Sequence, residues 1–123
     1  MALALLALIL AACGGPNQET MLHQRVSGAA ATVIIEDSPE SVGYFDPQVV
    51  HIHVGQTVGW LNASGDYHTV TFDQPGAPRS SRGFGHGAEF RATFGREGTF
   101  RYRCLYHDGM TGTVVVSASA GRH

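Results

Sequence analysis

The sequence predicts an all-β protein, an antiparallel β-sandwich of about seven or eight short strands in one small domain. Three observations carry this expectation. Glycine and proline recur at short intervals, no amphipathic stretch outlasts a helical turn or two, and the apolar runs are short or alternate with a period of two.

The first strand is expected over residues 31–36. A second, 49–54, follows Asp46-Pro47; its alternation puts Val50, Ile52 and Val54 on one face and His51 and His53 on the other. Gly55-Gln56 turns the chain into a strand over 57–62, where Val58 and Trp60 share the core face. Residues 68–72 form the next strand. The stretch 73–87 is rich in Gly, Pro, Ser and Arg and has no clear period, so an excursion over one end of the domain or a poorly formed helix is expected there. Strands over 88–94, 99–104 and 111–117 complete the set. Arg101 and Arg103 alternate with Phe100 and Tyr102 and read as a solvated strand face. No internal repeat or low-complexity tract is visible.

With 123 residues, 43% apolar and 15% charged, the chain suits one domain. Its formal charge is −2, and its eight arginines are spread along a sequence without lysine. A nucleic-acid partner is therefore not expected, because phosphate binding needs clustered positive charge.

Residues 1–12 are apolar throughout and too short to span a bilayer, which marks the core of a signal peptide. They lack a positively charged start, so Met1 is expected to lie inside a longer signal. The run Leu10-Ala11-Ala12-Cys13 resembles the lipobox of bacterial lipoproteins, with Cys13 as the lipidated residue. A plain secretory signal with an incidental Cys13 is the competing reading. Gly14-Gly15-Pro16-Asn17-Gln18 opens a polar, aperiodic stretch. The expected organisation is a signal peptide over 1–12, a lipid-anchored linker over 13–29, the folded domain over 30–118 and a tail over 119–123. If Cys13 carries lipid, Cys104 has no disulfide partner in an oxidising compartment. Such a thiol is either reactive or held by a metal.

The second reading has a specific basis in Cys104-Leu105-Tyr106-His107-Asp108-Gly109-Met110, which brings a thiolate, an imidazole and a thioether into seven residues between two expected strands. His68 supplies a further imidazole from a separate strand end. Two imidazoles, a thiolate and a weak thioether are the ligand set of a type 1 copper centre, a trigonal His2Cys plane with a long axial Met. Zinc is the redox-silent alternative. His51 and His53 fall on one strand face without a visible third ligand, and read as solvated.

At these residues the chain resembles the cupredoxins over about 30–118. Phe45-Asp46-Pro47, the run from Val54 to Asn62 and His68-Thr69-Val70 look like the family's first-ligand region, and the run from Gly98 to Cys104 with His107 looks like its second. The two-residue gap from His107 to Met110 and the eight-residue step from Trp60 to His68 are similar to amicyanin. The family usually has Asn after the first His ligand, tying the two ligand loops together; Thr69 stands there in this chain. Asp108-Gly109 replaces a commonly apolar segment.

The resemblance implies Greek-key topology, one type 1 copper on His68, Cys104, His107 and Met110, and single-electron transfer between a donor and an acceptor protein that dock near His107. It implies no enzymatic activity. A monomer, extracytoplasmic and tethered to a membrane through Cys13, is expected. Copper delivery or storage in the cell envelope is the alternative function. A detached oxidase domain would need a second copper centre, for which only His51 and His53 are left in the folded part.

Overall fold

The computed structural model describes residues 25–119, so the expected signal peptide, Cys13 and residues 120–123 lie outside the described residues. Eight strands follow one another: β1 (Ala31–Ser38), β2 (Ser41–Asp46), β3 (Val49–His53), β4 (Thr57–Asn62), β5 (Thr71–Phe72), β6 (Glu89–Thr93), β7 (Gly98–Arg103) and β8 (Thr111–Ser117). They form two four-stranded sheets, ordered β2-β1-β4-β6 and β3-β8-β7-β5.

Most neighbours are antiparallel, but β1 runs parallel to β4 and β3 parallel to β8. Both sheets are therefore mixed. A parallel neighbour cannot be reached by a hairpin, and here the chain leaves one sheet, runs along the other and returns. The first change of sheet falls between β2 and β3, at the cis peptide Asp46-Pro47.

Alternating side chains build the interior. In β3, Val50 and Ile52 are buried while Val49, His51 and His53 are exposed; in β7, Phe100 and Tyr102 are buried and Arg101 and Arg103 exposed. Trp60, fully buried on β4, meets the rings of Tyr102 and Phe72 from the other sheet edge to face, at centroid separations of 5.4 and 6.2 Å. Phe45 on β2 meets Tyr102 at 4.7 Å. Each such pair contributes about 0.5–1.5 kcal/mol beyond area burial, so this aromatic group clamps the two sheets.

Three departures from the sequence expectation have local causes. Strand β2 was not anticipated because its inward face carries only Gly43 and Phe45, too few apolar residues to make a period-two signal. The expected strand over 68–72 pairs regularly only at Thr71–Phe72. There the Ser81 and Ser80 hydroxyls accept the N–H groups of Val70 and Phe72 at 2.7 and 2.9 Å, in place of a ladder. The connection 73–87 holds no helix; between turns at 74–76 and 86–87 it is irregular and meets the first-ligand segment through one isolated bridge from Phe84 to His68.

Packed structure also begins before residue 30. Val26, inside the expected linker, is 2% exposed. Its N–H donates to Thr32 Oγ1 at 3.0 Å, and its side chain occupies the space a Cβ on Gly59 would fill. Thr32 and Gly59 are register partners on the outward face of β1 and β4. A glycine in mid-strand is unfavourable by itself, and here it makes the seat for Val26. Gly59→Ala is expected to lose about 1–3 kcal/mol, the usual range for overpacking, in chemical denaturation of the soluble domain. An unchanged midpoint would show that the 25–29 segment does not depend on this seat.

Candidate metal centre

The loop that follows β4 carries His68, and the loop between β7 and β8 carries Cys104, His107 and Met110. His68 is fixed by its backbone: its N–H donates to the Phe84 carbonyl at 3.1 Å and its own carbonyl accepts the Phe84 N–H at 2.9 Å. The second loop closes on itself. Cys104 N–H donates to the Met110 carbonyl at 3.0 Å and Met110 N–H to the His107 carbonyl at 3.4 Å. Gly109, at φ 79°, takes the left-handed conformation that turns the chain back into β8.

These loops bring three ligating atoms together. The nitrogens of His68 and His107 and the sulfur of Cys104 all lie within 4.8 Å of one another, the only such group among the described residues. Cys104 Sγ is 3.8 Å from His68 Nδ1 and 3.5 Å from His107 Nδ1, and the two imidazole rings are inclined at 48°. His68 is completely buried, Cys104 and Met110 nearly so, and His107 is half-buried. Met110 reaches this group through the loop's backbone, and its side chain belongs to the buried core.

Thr69 ties the two loops together. Its N–H donates to Cys104 Sγ at 3.4 Å and its hydroxyl oxygen accepts the Leu105 N–H at 2.9 Å. Hydrogen bonding to a ligating sulfur withdraws charge from it and tunes a copper–thiolate site. The substitution of Thr for the family's usual Asn therefore keeps the inter-loop tie.

Several residues at the centre carried no sequence signal. Gly43 on β2 lies against the His68 ring: a Cβ there would stand 2.6 Å from Cε1. Ser64 Oγ is 2.7 Å from His68 Nε2, on the ring edge away from Cys104. Asn62 in turn holds Ser64, its Oδ1 lying 2.7 Å from the hydroxyl. An Asn-x-Ser placed four residues before a ligand histidine is the pattern that would have found them. The other histidines among the described residues stand apart from the cluster. His51 and His53 are exposed on β3, His53 Nδ1 lying 2.9 Å from the Ala118 carbonyl, and His86 Nδ1 donates to the Ser64 carbonyl at 3.0 Å.

The donor set suits one group. Imidazole nitrogens and a thiolate crowded into a closed, largely buried cluster fit a first-row transition metal, and the sulfur biases it toward copper. A family model described as copper binding proteins of the plastocyanin/azurin family matches residues 36–117. The chain belongs to this family. Among the relatives of this cupredoxin, plastocyanin from Scenedesmus fuscus is 34% identical over 83 residues, spanning 58% of this chain and 85% of the relative. Plastocyanin from Prochlorothrix hollandica is 28% identical over 107 residues, spanning 79% and 82%. A purple cupredoxin from Nitrosopumilus maritimus superposes with a TM-score of 0.64 at 29% identity, over 71% of this chain and 99% of that one. A Cu(I) form of an amicyanin mutant gives 0.61 at 26% identity, over 77% and 88%. The cofactor of the cupredoxin is one type 1 copper.

Burial, with the nearby His107 as a second cause, holds His68 below its ordinary value of 6.5. In the metal-free protein the unfolded chain therefore takes up the His68 proton at a higher pH than the folded one does. The resulting stability is fully present above about 6.5 and is lost as pH falls toward the depressed folded value. Thermal unfolding of the copper-free domain between about pH 5 and 8 is expected to show a midpoint that falls on the acid side. His68→Gln should flatten that fall; an equal slope in the variant would assign the effect to other groups.

Proposed function

We propose that the protein is an extracytoplasmic electron carrier in which His68, Cys104 and His107 form the trigonal ligand plane of a type 1 copper and Met110 the axial ligand. The observation that carries this reading is the convergence of two imidazole nitrogens and one sulfur within 4.8 Å, from the loop after β4 and the loop between β7 and β8. Bound there, copper supplies a one-electron couple. The protein supplies a cage of its own side chains with no coordination position left for a substrate, which favours electron transfer over catalysis.

His107 is the electron's route in and out. It alone of the four ligands is half-exposed, while the others are buried. Tyr67, Leu105 and Tyr106, all more than half exposed, are the apolar residues of the two ligand loops, and an apolar rim suits brief docking of a donor and then an acceptor protein. Tyr106 lies over Gly83 and Tyr67 over Gly85, so the rim rests on a flat segment and not on mobile side chains. Cys13, carrying lipid, would hold the carrier at a membrane.

The soluble domain is expected to bind one copper and to become intensely blue or violet on oxidation, through thiolate-to-Cu(II) charge transfer. Cys104→Ser should remove the band, and Met110→Leu should keep it while raising the reduction potential. A copper-loaded wild type with only weak absorption and readily exchanged metal would replace electron transfer with copper delivery or storage. A colourless protein that prefers zinc would sink both.

The anchor has its own test. Cys13→Ala, expressed with a complete signal peptide, is expected to leave the membrane fraction or fail to mature, with copper binding unchanged. Equal fractionation of variant and wild type would leave an ordinary secretory signal.

A further inference from the structure

We propose that Asn62 and Ser64 are positioning residues that fix His68 as its Nε2–H tautomer, so that Nδ1 is the nitrogen offered to the metal. The inference deepens the copper reading above and rests on it. A neutral imidazole has one nitrogen with a proton and one with a free lone pair, and only the second can ligate. Which is which depends on the hydrogen bond that the other nitrogen makes.

Every proton in this group can be assigned from its partners. Asn62 Nδ2 lies 2.8 Å from the Asp66 carbonyl and 2.9 Å from the Phe84 carbonyl. Carbonyls only accept, so that atom is the amide nitrogen and both its protons are used. Oδ1 accepts the backbone N–H of Ser64 at 2.9 Å, which fixes the amide's orientation from the other side. The Ser64 hydroxyl lies 2.7 Å from the same Oδ1 and 3.2 Å from the Asp66 carbonyl. Both of those are acceptors, so the single hydroxyl proton points to them, chiefly to Oδ1.

Ser64 Oγ then has two lone pairs and no proton to spare. One faces the Asp66 N–H at 3.3 Å, and the other faces His68 Nε2 at 2.7 Å. Nε2 must therefore carry the proton and donate it. Nδ1 is left bare, 3.8 Å from Cys104 Sγ. Were the proton on Nδ1, two lone pairs would confront each other at 2.7 Å inside a group of completely buried side chains: Asn62, Ser64 and His68 are all 0% exposed.

The loop that carries Ser64 is itself braced. The Asp37 carboxylate accepts the Gly65 N–H at 3.1 and 3.3 Å, His86 donates to the Ser64 carbonyl, and Ala63 N–H donates to the Ile35 carbonyl at 2.9 Å. The hydroxyl is thus held by the end of β1 and the 84–88 segment as well as by Asn62.

The deciding measurement is long-range 15N–1H NMR of the His68 ring in the copper-free protein. Wild type is expected to show a protonated Nε2 and a bare Nδ1. Ser64→Ala should give a mixture of tautomers, because Nε2–H loses its acceptor, and should weaken copper binding by about 10–100-fold, the usual effect of removing a partner of a ligand. Ser64→Thr, which keeps the hydroxyl, should restore the single tautomer. A wild type with the proton on Nδ1 overturns the inference, and so does a Ser64→Ala protein that keeps Nε2–H alone, whatever its affinity. Should the alanine variant not fold, the wild-type and threonine spectra decide. A wild type that binds no copper sinks the proposed function, while the tautomer readout judges this inference separately.

Discussion

The centre depends first on the tie between Thr69 and the Cys104 segment, because its halves come from stretches 36 residues apart in the chain. Side-chain packing alone would let two such loops slide by tenths of an ångström. Two directed bonds from a single residue prevent this: the backbone N–H holds the sulfur and the hydroxyl holds the next peptide. Without the hydroxyl the Leu105 N–H would lose this acceptor, and a typical hydrogen bond contributes about 0.5–1.5 kcal/mol net. A ligand loop and its partner strand are therefore positioned by the same atoms that tune the sulfur.

That tie works only on a stiff support, which the aromatic interior provides. Tyr102, two residues before Cys104, is surrounded by Phe45, Trp60 and Phe72 and lies over Gly112, its register partner on β8. Burial raises the pKa of its phenol far above the ordinary 10.0, so the group stays neutral. The Tyr102 hydroxyl and the Trp60 indole N–H are buried with at most each other as partners, and no hydrogen bond of good geometry reaches either from the other described residues. Polar atoms so placed are unfavourable, and the ring contacts around them offset that. The strand leading into Cys104 cannot rotate without disturbing both sheets.

Sequence made the candidate site and the sandwich legible for separable reasons. Cys104, His107 and Met110 are adjacent in the chain, and His68 opens an apolar run, so chemistry and local pattern coincide. Strand periodicity showed where Val50, Ile52, Phe100 and Tyr102 would face. What escaped has no local pattern. Gly43 matters because the His68 ring lies on it, and Val26 because a glycine on β4 leaves it a seat. Ser64 and Asn62 look like turn residues; their role is set by the bond from Asn62 to the Phe84 carbonyl, 22 residues away, and by the contact of the Ser64 hydroxyl with the His68 ring. Parallel pairing of β1 with β4 was equally invisible, since strand direction depends on how the chain travels between sheets.

The two imidazoles are held very differently, and this asymmetry follows from the packing. His68 is bound at its backbone by Phe84, at its outer nitrogen by Ser64 and on its face by Gly43, and no solvent reaches it. His107 sits on a loop between exposed Tyr106 and Asp108, with a left-handed glycine two residues on and a groove of about 400 Å³ beside it, lined in part by Tyr44, Asp108 and Met110. Its Nδ1 lies 3.5 Å from the Cys104 sulfur, a weak contact. A displacement of His68 would have to break hydrogen bonds in a fully packed region, whereas His107 can shift into open space. The packing therefore leaves His107 the less restrained of the two rings, beside the buried wall of Cys104, His68 and Thr69.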